Sequence, residues 1–159
     1  MKEPLTIALI YDFDGTLAPG NMQEYDFIPA VGKSNKEFWH DANQLAEEQD
    51  ADMVLTYMAR MIQEARSKGL SLRRGAFQES GRRVTLYKGV REWFARINAY
   101  GAARGIRILH YINSSGLKEI IEGTEIAHEF RRIYACSFLY DIDGVAYWPA
   151  VAVNYTNKT

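Results

Sequence analysis

Two aspartates one residue apart, Asp12 and Asp14, follow the short apolar run 6–11 (TIALIY). A carboxylate at the end of a buried parallel strand sits at the mouth of the sheet, where open α/β folds place ligands. A second carboxylate two residues on stays close to it while the chain turns. Such a pair can divide labour: one attacks or binds metal as a carboxylate, and the other carries a proton. Gly15 permits close backbone approach, and exposed N–H groups in such a turn suit an anionic oxygen. Ser114 stands in a comparable place, beyond the strand-like run 106–112 (IRILHYI) and before a helical pattern. A hydroxyl and backbone amides there make a phosphate site, although such a serine also serves simply as an N-cap.

These residues need a sheet to position them. The run before Asp12 reads as a strand buried on both faces, and 106–112 and 133–139 read as its parallel neighbours. Asp143-Gly144 reads as a tight hairpin turn returning through 145–153. That reading also accounts for the D-x-D-G letters of 141–144 without chemistry. The later oxygen ligands of a calcium loop are missing at both acidic sites. Between the first two strands, Phe38, Trp39, Ala42, Leu45 and Ala46 follow helical spacing, as do Val54, Tyr57, Met58, Met61, Ile62 and Ala65. Two helices with no strand between them predict a helical insertion at 20–88, leaving 1–19 plus 89–159 as the core. Val90, Trp93, Phe94, Ile97 and Tyr100 predict a further helix. Gly75 and Gly81 read as breaks, Trp39 and Trp93 as core, and Cys136 as a buried filler. His40, His110 and His128 lack ligand spacing and read as structural.

The strand followed by DFDGTL resembles the first motif of the haloacid dehalogenase-like hydrolases, a superfamily dominated by phosphatases. The resemblance implies a three-layer α/β/α Rossmann-like core with a mainly parallel sheet and an inserted helical cap. It implies a Mg²⁺-dependent phosphatase acting on a small phosphorylated metabolite through an aspartyl-phosphate. Asp12 would be the nucleophile and Asp14 the acid that protonates the leaving group and then activates water. Asp12 and the Asp14 carbonyl would bind Mg²⁺, with Gly15 and Thr16 lining the phosphate loop. Ser114-Ser115-Gly116-Leu117 looks most like the second motif of the phosphoserine-phosphatase branch, with Ser114 holding the phosphoryl group and Ser115 the alternative. The third motif is a cation that balances charge. Lys158 matches it by context, and Arg131 and Arg132 are competitors at the wrong end of a strand. The branch's substrate-contacting acid has Glu24 as its nearest option, out of register. A Schiff-base phosphonatase would need a cap lysine, for which Lys33, Lys36, Lys68 and Lys88 are equivalent candidates.

The fourth acidic motif of the family has no counterpart before Thr159, so the chain reads as C-terminally truncated, a fragment or natural short form. The alternative function is therefore a non-catalytic phosphate- or partner-binding remnant. The 159 residues carry 19 Lys plus Arg against 20 Asp plus Glu, a net charge of −1 that gives no general attraction to nucleic acid or anionic lipid. No apolar run is long enough to span a bilayer. One cysteine excludes an intramolecular disulfide, and with no secretory signal the chain reads as cytoplasmic.

Overall fold

Parallel pairing carries the sheet. In the computed structural model, which describes residues 5–158, β1 (Leu5–Tyr11) pairs with β2 (Ile106–Leu117) from Leu5↔Ile106 to Tyr11↔Ile112. β2 pairs in parallel with β3 (Arg132–Tyr140), and β4 (Ala146–Val151) returns antiparallel to β3. The order β1-β2-β3-β4 makes the first three strands parallel neighbours, as expected. The hairpin at Asp143-Gly144 forms because the Asp141 carboxylate accepts from the N–H groups of Asp143 and Val145, at 3.0 and 2.9 Å. Gly144 takes the left-handed φ of 74° that the turn requires.

The expectation that β1 is buried on both faces is corrected. β1 lies at one end of the described sheet, and Leu5, Ile7 and Ile10 are exposed. An apolar run reads the same in a central strand as in an end strand, because strand order is set by non-local pairing.

Between β1 and β2 the chain forms α1 (Phe27–Ala30), α2 (Asn35–Glu48), α3 (Met53–Ser67) and α4 (Arg74–Gly81). α5 (Val90–Ala102) then leads into β2, and α6 (Lys118–Glu122) follows it. Local chemistry starts these helices. Ser34 and Glu37 form a reciprocal capping box on α2, and the Asp52 carboxylate accepts from Leu55 N–H at the start of α3. Lys33 and Arg60 both pair with Asp41 and Glu64, tying α2 to α3. Buried residues of these helices, including Phe27, Phe38, Met58 and Phe77, join Phe94, Ile112, Ile120 and Phe138 in one continuous apolar cluster. No described helix is long and apolar enough to cross a membrane.

His110 is structural, as its spacing suggested. Tyr11 Oη accepts from Trp93 Nε1 and bonds His110 Nδ1, while His110 Nε2 meets Asn98 Oδ1, each at 2.9 Å. Donation from Tyr11 leaves Nδ1 as acceptor and the proton on Nε2. Burial holds the imidazole below its usual pKa, consistent with this neutral form.

The helix α4 was missed because Gly75 and Gly81 read as breaks. Gly81 instead lets α4 approach α6: a Cβ there would sit 2.0 Å from the Ile120 carbonyl oxygen, and one on Gly123 would sit 1.8 Å from that of Gln78. Gly123→Ala is thus expected to force the two helices apart at a cost of about 3 kcal/mol, a fall in Tm on the order of 10 °C. Gly75→Ala, where a Cβ meets nothing within 4 Å, is expected to leave Tm unchanged or raise it. Thermal unfolding of both variants checks this, and equal effects would remove the close-approach explanation.

Candidate active site

The register that sets Tyr11 opposite Ile112 brings Asp12, just past β1, and Ser114, inside β2, to the same end of the sheet. β2 runs on to Leu117, so the expected strand end at 112 is corrected, and the N-cap of α6 is Leu117 rather than Ser114. At that end of the sheet Asp12, Asp14, Ser114, Ser115 and Lys158 line one cavity of about 340 Å³. Asn21, Gln23, Trp39, Asn43, Met53, Val54 and Tyr57 form the remainder of its wall. Gly15 and Thr16, expected at the phosphate, are exposed and lie outside that wall. They shape the turn: Gly15 has φ 73°, and its N–H bonds the Ala18 carbonyl at 2.7 Å. Arg131 and Arg132, Glu24, Lys33, Lys36, Lys68 and Lys88 also lie outside the wall.

Asp12 is partly exposed. Its Oδ1 accepts from Phe13 N–H at 2.8 Å and pairs with Lys158 Nζ at 2.9 Å. Both contacts use one oxygen, which leaves Oδ2 for a ligand. Lys158 is fixed despite its place near the end of the sequence. Its N–H donates to the Asn154 carbonyl at 2.9 Å, and its carbonyl accepts from Asn113 Nδ2 at 2.8 Å. Asn154 in turn donates to Asp52 at the start of α3.

Asp14 differs from its neighbour in environment. Its Oδ1 accepts from Met22 N–H at 2.9 Å. Burial raises its pKa to about 7; the charges of Asp12 and Glu24 add to the rise, while the Met22 N–H and Lys158 oppose it. A carboxyl that keeps its proton up to about pH 7 can serve as an acid near neutrality. Gly116 is required beside them, since a Cβ there would meet Met22 Cε at 2.0 Å and Asp14 Oδ2 at 3.0 Å.

Ser114 is buried, and its Oγ accepts from Gly116 N–H at 3.0 Å, which leaves the hydroxyl proton free to donate into the cavity. The Ser115 carbonyl accepts from Tyr57 Oη at 2.7 Å, a bond from α3 to the end of β2.

Sequence reasoning missed most of the remaining wall. Trp39, expected as core, is half-buried and donates from Nε1 to Glu24 Oε1 at 2.7 Å. Trp39 and Asn43 are four residues apart, as are Met53 and Tyr57, so each pair shares a helix face. That spacing was the available signal. Glu24 Oε1 also accepts from Asn21 Nδ2 at 2.8 Å, so this acid is occupied within the protein.

The oxygen donors of Asp12 and Asp14 are of the hard type that suits Mg²⁺, which keeps several waters when protein ligands are few. Among the described residues no cluster of three or more acidic, His or Cys ligands forms.

Similarity to known proteins follows the same elements. A Borreliella burgdorferi protein described only as uncharacterized is 30% identical over 143 residues, covering 84% of this chain and 50% of its own length. The chain thus spans half the length of that relative. A solved hydrolase of the haloacid dehalogenase family from Salmonella enterica serovar Typhi superposes with a TM-score of 0.65 at 18% identity, covering 98% of this chain and 49% of that one. A phosphoserine phosphohydrolase-like protein from Francisella tularensis gives 0.57 at 18% identity, covering 92% and 64%. At such identities these two structures establish the fold alone. The model of the haloacid dehalogenase-like hydrolases matches residues 9–150, a span that runs from within β1 to within β4, and the chain belongs to that family.

Proposed function

We propose that the chain carries the catalytic centre of a Mg²⁺-dependent phosphomonoesterase that works through an aspartyl-phosphate on Asp12. The observation that carries this reading is one cavity lined by a Lys158-paired Asp12, a half-buried Asp14 whose pKa is raised to about 7, and Ser114. Asp12 Oδ2 attacks phosphorus and the bond to the leaving oxygen breaks, while Asp14 delivers its proton to that oxygen. Asp14, now a carboxylate, takes a proton from water as the water attacks the phosphoryl group, returning Asp12 and releasing inorganic phosphate. Ser114 Oγ–H donates to a phosphoryl oxygen, with Ser115 beside it. The Lys158 ammonium offsets the negative charge gathered at Asp12 and the phosphate. Bound at Asp12 and Asp14, Mg²⁺ would supply further charge neutralisation.

In the same proposal the helices of 20–88 act as a cap, excluding water and contributing to the remaining wall. A reducing, cytoplasmic setting fits a chain whose one cysteine, Cys136, is buried and free.

The experiment is hydrolysis of 4-nitrophenyl phosphate with and without Mg²⁺. Metal-dependent release of phosphate is expected. Absence of both turnover and phosphate binding would overturn the proposal. Phosphate binding without turnover would favour the alternative of a non-catalytic binding remnant, in keeping with the lack of a cluster of three or more His, Cys, Asp or Glu side chains among the described residues.

A further inference from the structure

Gln23 is the one cavity-lining residue that is almost wholly buried and holds an unanswered polar atom. It is 1% exposed, and its Oε1 has no hydrogen-bond partner, one of two such buried side-chain atoms among the described residues. The other is Glu119 Oε2, on an acid fully enclosed among α6, β3 and Arg74 and away from the cavity wall. A buried acceptor without a donor is unfavourable, so a ligand group that donates to it gains affinity and selectivity together.

Charge around Gln23 narrows what that ligand can be. All formal charge on the cavity wall belongs to Asp12, Asp14 and Lys158, and Lys158 is already paired with Asp12. Besides the uncharged Ser114 and Ser115, the remainder of the wall is uncharged too: amides from Asn21, Gln23 and Asn43, rings from Trp39 and Tyr57, and apolar Met53 and Val54. Glu24 stands outside the wall with Oε1 held by Asn21 and Trp39, and its negative charge, felt at Asp14, adds to the anionic character of the site. A carboxylate on the leaving group would lose hydration there with no free cation to meet, since Lys158 is paired with Asp12. A hydroxylated carbon chain would donate to Gln23 Oε1 and lay its C–H face on Trp39. The volume, about 340 Å³, is at the small end for ligand cavities.

We propose that Gln23 is a specificity residue, and that the site takes phosphate monoesters of small uncharged polyhydroxy alcohols in preference to phosphorylated amino acids. This rests on the phosphomonoesterase reading above. The Gln23 amide oxygen accepts from a leaving-group hydroxyl, Asn21 and Trp39 hold Glu24 away from the ligand, and the phosphate lies at Asp12, Ser114 and Lys158.

Calorimetric titration of Asp12→Asn, in Mg²⁺, with glycerol 3-phosphate, ribose 5-phosphate, O-phosphoserine and inorganic phosphate tests it without turnover. The two polyol esters are expected to bind at least about tenfold tighter than O-phosphoserine, about 1.4 kcal/mol. Adding Gln23→Leu should collapse that ratio toward one. Adding Gln23→Glu should shift it toward O-phosphoserine, a gain that a misfolded variant would not give. Equal or tighter binding of O-phosphoserine without any change at Gln23, or a ratio indifferent to Gln23→Leu, would overturn the inference while leaving the phosphate site intact. No binding of inorganic phosphate, together with no hydrolysis of 4-nitrophenyl phosphate by the native chain, would overturn the phosphomonoesterase reading and this inference with it.

Discussion

Asp12→Asn is expected to abolish covalent phosphate capture and to lower turnover of an aryl phosphate on the order of 10⁴-fold or more. The expectation is chemical rather than structural. An asparagine keeps the oxygen that accepts from Phe13 N–H and can still meet Lys158 Nζ, so the turn after β1 retains its bonds. What it loses is a charged oxygen able to form the acyl phosphate. Tm should therefore change little while the reaction stops. Intact-mass measurement after acid quenching reads the phosphoenzyme directly, and Tm checks the fold. A phosphorylated species surviving in Asp12→Asn would place the nucleophile elsewhere.

Much of this geometry was legible because it is local. A carboxylate pair at a strand end, a serine just after the apolar run 106–112 and an intervening helical periodicity pointed to the parallel pairing and to the end at which Asp12 and Ser114 meet, although β2 continues through Ser114 to Leu117. Lys158 was harder. A lysine next to the chain end reads as a solvated tail, and only the bonds of its backbone to Asn113 and Asn154 hold its ammonium at Asp12. The position of β1 at one end of the sheet and the crossing of α4 on α6 were not legible, since both depend on partners distant in sequence. Gln23 belongs to the same class. Nothing in the letters around it marks one amide oxygen as buried and unanswered; that follows from how the turn at 22–24 sits under the helices.

Asp14→Asn is expected to slow turnover by about 10²- to 10⁴-fold and, at alkaline pH, to make the protein more stable than its parent. The two effects share one cause. In the unfolded chain an aspartate titrates near pH 4, whereas burial raises folded Asp14 to about 7. Between those values the folded state holds a proton that the unfolded state has released. The stability associated with Asp14 is thus fully present below about pH 4 and is lost as pH rises through about 7. A difference of about three pKa units corresponds to about 4 kcal/mol, and the partial solvent access of the side chain reduces this to about 2 kcal/mol. Asparagine carries no charge to bury, and its carbonyl oxygen can still accept from Met22 N–H. Its Tm should stay level from pH 4 to 8 where the parent falls, with the curves together at the acid end and apart at the alkaline end. Turnover by the parent should weaken above about pH 7, where Asp14 no longer holds the proton the leaving oxygen needs. Parallel Tm curves for the two proteins would show that Asp14 is already ionised at low pH, and would remove it as the proton donor.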